Sequence, residues 1–64
     1  MNEKLKLLRK EMGISQKVVA NAIGITLSAY SNYEQGLREP SNEILVKLCK
    51  YFNVTADYLL GLED

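Results

Sequence analysis

Sixty-four residues with one cysteine, no histidine and zero net charge make one small domain, expected to span 1–64 and to bury only about 60% of its unfolded surface. A single cysteine excludes an intrachain disulfide, and the lack of histidine excludes a Cys/His zinc site. No apolar run approaches the roughly 18 residues a membrane span needs, and the charged start is no signal peptide, so the chain is expected to be cytoplasmic, with no membrane or metal partner.

The predicted elements are five short helices. Asn2 is placed to cap the first, whose apolar stripe is Leu5, Leu8 and Met12, and Gly13 to end it. Ser15 is placed to open a second helix at Gln16 that turns Val19 and Ile23 inward and stops at Gly24. Ala20 sits where a following helix would cross closest, and a near-perpendicular crossing leaves room only for a small side chain. The chain must then reverse within about three residues, which favours a glycine able to take positive φ at Gly24. Ile25 follows as a core residue, and Thr26 is placed to cap a third helix that ends at Gly36. At 3.6-residue spacing Tyr30, Tyr33 and Glu34 share one side of it, with Ser28, Asn32 and Gln35 opposite. Pro40 belongs to the loop before Ser41, which opens a fourth helix with the stripe Ile44, Leu45, Leu48 and Phe52 and a stop at Asn53. Thr55 opens a short fifth helix carrying Leu59 and Leu60 and ending at Gly61. No stretch alternates long enough for a strand, so the fold class is all-α, five helices around one core.

Residues 16–36 carry most of the functional information. Two short helices joined by a tight turn expose Ser28, Asn32 and Gln35, which are short, polar and uncharged. Such a face can enter a groove of DNA and exchange hydrogen bonds with base edges. Zero net charge argues against a nucleic-acid partner until its distribution is read. Residues 1–38 hold six basic and three acidic side chains, a net +3, whereas 39–64 hold two basic and five acidic ones, a net −3. That asymmetry would orient the domain on a phosphate backbone while keeping non-specific affinity low.

The motifs Leu8-Arg9, Gly13-Ile14-Ser15-Gln16, Val19-Ala20, Ile23-Gly24-Ile25, Tyr33-Glu34-Gln35-Gly36, Arg38-Glu39-Pro40-Ser41 and Asp57-Tyr58-Leu59-Leu60-Gly61, in this order, resemble the lambda-repressor/Cro-type (Xre-type) helix-turn-helix transcriptional regulators from Leu5 to Leu60. The resemblance implies a five-helix lambda-repressor-like DNA-binding domain with its helix-turn-helix at helices 2 and 3. It implies that the Gln16 amide hydrogen-bonds a DNA phosphate, and that Arg9 and Glu34 form an ion pair tying the first helix to the end of the reading helix. Lys17 and Arg38 are further phosphate candidates, with Lys10 a weaker one. Base reading is expected of Leu27, Ser28 and Asn32, with Ser31 and Gln35 at the margin. The Asn32 carboxamide suits adenine, Ser28 discriminates weakly, and Leu27 offers apolar contact to a thymine methyl. Many relatives place arginine or glutamine at Leu27 or Asn32, so this chain is expected to favour A·T-rich half-sites.

The implied function is a sequence-specific double-stranded DNA-binding regulator, most simply a repressor, with no cofactor and no enzymatic activity. A half-operator per copy implies a weak or DNA-dependent homodimer, with Tyr58, Leu59, Leu60 and Leu62 in the last third as the expected contact, or else an active monomer of modest affinity. The rival reading is a helix-turn-helix protein-interaction module, such as an antitoxin or anti-repressor partner, with weak or lost base reading. Val18 and Leu37 are apolar where relatives are usually polar, and are either partner contacts or tolerated singles. The four tyrosines read as packing rather than stacking platforms, and Cys49 as a small core residue.

Overall fold

The computed structural model describes residues 1–62; Glu63 and Asp64 lie outside the described residues. The helices are α1 (Asn2–Met12), α2 (Gln16–Ile23), α3 (Leu27–Gln35), α4 (Asn42–Phe52) and α5 (Ala56–Leu60). Short hydroxyl side chains fix four of the five starts. Ser15, Thr26, Ser41 and Thr55 accept from the backbone N–H of Val18, Ala29, Ile44 and Tyr58 respectively. Each bond satisfies one donor the helix itself cannot use, at about 1 kcal/mol. Gly13, Gly24, Gly36, Asn53 and Gly61 close the helices in left-handed geometry, as their sequence positions indicate.

The start of α1 departs from expectation. Asn2 is its first helical residue, not its cap: Met1 holds that place, its carbonyl accepting from Leu5 N–H at 3.1 Å, and no side chain caps the helix. The Asn2 side chain lies instead beside Gly36.

Each helix sends one side chain completely out of water: Leu5, Val19, Tyr30, Leu48 and Leu59 are 0% exposed. Ala20, Ile23 and Phe52 complete the core, and half-buried Leu8, Ile14, Ile25, Tyr33, Ile44 and Leu45 pack around it. The near-total burial of Ala20 agrees with a close α2–α3 crossing, one of the closest packings in the molecule. Two stripe positions are exposed after all. Met12 lies at the end of α1, and the reversal at Gly13 brings Ile14 onto the core in its place. Leu60 is adjacent to buried Leu59, and at 100° apart on a five-residue helix only one of the two can face inward. All four tyrosines pack rather than stand clear: Tyr51 meets Phe52 edge-on with ring centroids 5.2 Å apart, and Lys4 Nζ sits 4.3 Å from the centre of the Tyr58 ring, joining α1 to α5. Cys49 is half-buried, and burial pushes its thiol pKa up. Among the described residues no helix is long and apolar enough to cross a membrane.

Candidate nucleic-acid interface

The turn between α2 and α3 is built by Gly24, whose φ of +77° lets Ile25 N–H return to the Ala20 carbonyl at 3.0 Å. Thr26 then starts α3 at once, so the turn sets the angle between two helices that pack against each other, with Ala20 buried. A second device locks the same angle from the other end. Arg9 on α1 donates through Nε to Glu34 Oε2 at 2.6 Å and through Nη2 to Oε1 at 3.1 Å, while its Nη1 donates to the Ile14 carbonyl at 2.9 Å. Gln16, the first residue of α2, donates through Nε2 to Glu34 Oε1 at 3.0 Å. One carboxylate therefore ties α1, α2 and α3 together.

Glu34 is only 6% exposed, the one buried charged residue among those described. Burial pushes its carboxyl pKa up, but the donors of Arg9, Tyr30 and Gln16 around it more than offset this and hold it below the ordinary carboxylate range. The bond to Glu34 in turn raises the Arg9 guanidinium, against a smaller opposing effect of burial. The Tyr30 hydroxyl lies buried beside this cluster without a hydrogen bond of good geometry among the described residues. Burial, then the neighbouring carboxylate, pushes its pKa far above the usual phenol range.

On the opposite face of α3 Leu27 is 48% exposed, and Ser28 and Gln35 are exposed as well. Ser31 and Asn32 are half-buried. Gln35 Nε2 donates to Ser31 Oγ at 2.8 Å, so these two marginal positions are linked to each other. The Asn32 main chain is occupied, its carbonyl accepting from Leu37 and Arg38 N–H at 3.0 and 3.4 Å. Its carboxamide has no partner among the described residues. Lys10, Lys17 and Arg38 are all exposed, and the one ion pair among the described residues is that of Arg9 with Glu34. The Gln16 bond to Glu34, the Arg9 bond to the Ile14 carbonyl and the approach of Tyr30 are not legible in the sequence, because backbone acceptors and contacts set by helix crossing leave no periodic signature.

Among the described residues no group of three or more His, Cys, Asp or Glu side chains is arranged to hold a metal. An open groove of about 590 Å³ between the end of α2 and α4 is lined by residues such as Ile23, Lys47, Lys50 and Tyr51, without a nucleophile–base pair.

Residues 5–59 match the family described as "Helix-turn-helix". Over all 64 residues the chain is 38% identical to the HTH-type transcriptional regulator ImmR of Bacillus subtilis, covering 50% of that protein. Over 61 residues, 95% of the chain, it is 43% identical to the HTH-type transcriptional regulator AnsR of the same organism and covers 53% of it. The chain thus spans about half the length of the curated relatives it matches. Among solved structures it is similar to the P22 c2 repressor protein in complex with synthetic operator 9T, with a TM-score of 0.87 at 31% identity, over 91% of this chain and 88% of that one. The match across nearly the whole fold places the chain in the lambda-repressor-like (Xre-type) helix-turn-helix family.

Proposed function

We propose that the chain binds double-stranded DNA sequence-specifically in the cytoplasm and regulates transcription, most simply as a repressor that occludes a promoter. The observation that carries this reading is the division of α3 into two faces. Tyr30 and Glu34 are buried, whereas Leu27, Ser28 and Gln35 stand in solvent beside the free Asn32 carboxamide. Uncharged short side chains on a rigid helix can approach base edges without desolvating a charge, and each reader contributes roughly 1–3 kcal/mol of discrimination. Ser28 and Asn32 read, Leu27 meets a thymine methyl, and the linked Ser31 and Gln35 act at the edge of the site. The similar P22 c2 structure holds operator DNA, which supports the same use of this face.

Gln16 has two amide N–H groups, and Glu34 takes one. The other is left for a phosphate at the N-terminus of α2, where an anion is also favoured by the helix dipole. Lys17, Arg38 and Lys10 supply further phosphate contacts. The Arg9–Glu34 pair acts as a positioning device, holding Gln16 in register with α3.

A single copy, 28 Å in its longest dimension, cannot reach two major grooves about 34 Å apart on one side of the duplex. Two copies, associating weakly or only on DNA through the C-terminal third, would read both halves of a palindrome, whereas a single copy would read one half with modest affinity. Leu60 and Leu62 are open for that contact, Leu62 at 73% exposure; Leu59 is not, because its own core takes it. No cofactor or catalysis is involved. A second reading, the protein-interaction module, draws on Leu37 at 69% exposure and on exposed Val18.

In vitro selection from random duplex DNA at about 150 mM salt, where phosphate attraction alone is weak, separates the two. Recovery of a palindrome whose adenine preference relaxes with Asn32→Ala supports operator reading; an unenriched pool from both proteins transfers the assignment to the interaction module.

A further inference from the structure

Leu7, on the outer face of α1, is 51% exposed and belongs to a pattern. Glu3 lies one turn before it and Glu11 one turn after, so the three form a single stripe along the helix. Of the large apolar side chains exposed among the described residues, no other has a carboxylate four residues away on both sides. Both glutamates are exposed, and neither forms an ion pair among the described residues. Lys10 borders the stripe and offsets part of its charge, whereas Lys4 on the other flank is held at the Tyr58 ring. The groove between the end of α2 and α4 carries the opposite chemistry. Ala22, Ile23 and Tyr51 line it with apolar surface, and exposed Val18, one turn before Ala22, continues that edge. Lys47 and Lys50 line it too, the only basic residues between positions 39 and 64, and no carboxylate does. Both ammonium groups are exposed and outside any ion pair among the described residues, even though Glu43 lies one turn before Lys47.

We propose that this groove receives the Glu3–Leu7–Glu11 stripe of a second copy of the chain in a head-to-tail contact. Leu7 enters against Ile23 and Tyr51, and the two glutamates meet Lys47 and Lys50. Both surfaces are open in one and the same copy, so they do not satisfy each other within it. The occupant follows from complementarity: an apolar side chain between two carboxylates matches apolar walls beside two unpaired ammonium groups. The glutamates are eight residues apart and the lysines three, a difference that the flexible four-carbon lysine stems can span. Because the two faces differ, the contact is heterologous, and each copy can engage one neighbour with its stripe and another with its groove. No residue of either surface belongs to α3, and neither Leu60 nor Leu62 is used, so the contact is separate from base reading and from pairing across a palindrome. A short apolar strip with exposed ion pairs at its rim makes a weak interface. It therefore acts between copies already held on neighbouring operators, where linkage raises the effective concentration. That role rests on the DNA reading proposed above; the contact itself does not.

The test begins without DNA. Amide NMR of the wild type up to about 1 mM should show concentration-dependent shifts at Leu7 and Glu11 and at Ile23, Gly24 and Tyr51, fading at about 0.5 M salt. Leu7→Ser should remove these shifts with unchanged melting, since the side chain packs against nothing in its own core. Two charge-reversed proteins, Glu3→Lys with Glu11→Lys and Lys47→Glu with Lys50→Glu, should each associate at least about tenfold more weakly, because like charges then meet. An equimolar mixture of the two should regain wild-type association, since each stripe then opposes the other protein's groove. A folding defect, such as loss of the favourable Glu3 charge at the start of α1, cannot produce that rescue. On DNA carrying two selected operators side by side, at a series of spacings, wild type should fill the pair cooperatively. Leu7→Ser should lose the cooperativity and keep its affinity for one operator. Shifts absent or confined to α5, or a mixture no more associated than either variant alone, overturn the contact and leave the DNA reading intact. A wild type that selects no operator, yet passes the tests in solution, overturns the DNA reading and the role on neighbouring operators while the contact stands.

Discussion

Glu34 keeps its charge inside the fold because four donors on three helices face it, and removing one donor group should expose the cost. Arg9→Met leaves the carboxylate with Gln16 and the Tyr30 hydroxyl alone, and urea denaturation at neutral pH should show a loss of about 3 kcal/mol. The pH dependence has a definite sign. The Glu34 carboxyl sits below its ordinary value of 4.5, so its contribution to wild-type stability is complete above that pH and is lost as pH falls through the lower folded value. In Arg9→Met burial is no longer offset by the guanidinium, the carboxyl rises, and protonation relieves the strain. The stability gap between the two proteins should therefore narrow as acid is added toward pH 4.5 and below. Tyr30→Phe should behave differently. Its hydroxyl is buried without a good hydrogen bond, so denaturation should register a change within about 1 kcal/mol; a larger loss would show that the hydroxyl does bond to Glu34 in solution.

At the scale of the elements, Gly36 and Gly24 make a controlled pair. Both have positive φ, +76° and +77°, but a Cβ at Gly24 meets nothing within 4 Å whereas one at Gly36 meets Asn2 at 3.3 Å. Gly24→Ala should cost about 1–2 kcal/mol for left-handed backbone alone. Gly36→Ala should cost more, and the excess should vanish when Asn2→Ala is present, a coupling that a double-mutant cycle reads directly. The same elements show what the sequence made legible. Ser15, Thr26, Ser41 and Thr55 could be placed as caps because capping is a local bond within one turn, and the two faces of α3 followed from its period. Asn2 could not be placed, since its position depends on Gly36, thirty-four residues away in the chain. Arg9 and Glu34 were paired through family resemblance, not through spacing. The bond from Gln16 to that pair exists because the start of α2 meets the end of α3, a contact set by helix packing, and Met12 and Leu60 are exposed because stripe position says nothing about whether a helix outruns its partner.

At the scale of the whole molecule, the core consists of one completely buried side chain per helix with a few neighbours. Such a small core leaves little reserve. Leu59 is the only buried residue of α5, so Leu59→Ala should cost roughly 2–5 kcal/mol and release α5 before the rest, visible as hydrogen exchange of its amides at near-coil rates while α2 and α3 stay protected. The balanced overall charge sets a further expectation for binding. With only the few phosphate contacts proposed, the log–log dependence of operator affinity on salt should have a slope of roughly −3 to −6 for a dimer, and a slope near zero would count against contact with the backbone.

The two-faced α3 has a consequence for how such a domain diversifies. Every residue that holds the helix in place points one way, toward Val19, Ala20 and the Glu34 cluster, and the proposed readers Leu27, Ser28 and Asn32 point the other. Vocabulary and grammar are kept on separate surfaces. New side chains at Leu27, Ser28 and Asn32 can thus rewrite which operator is preferred without renegotiating the core, and a set of such variants should share one melting curve while answering to different DNA.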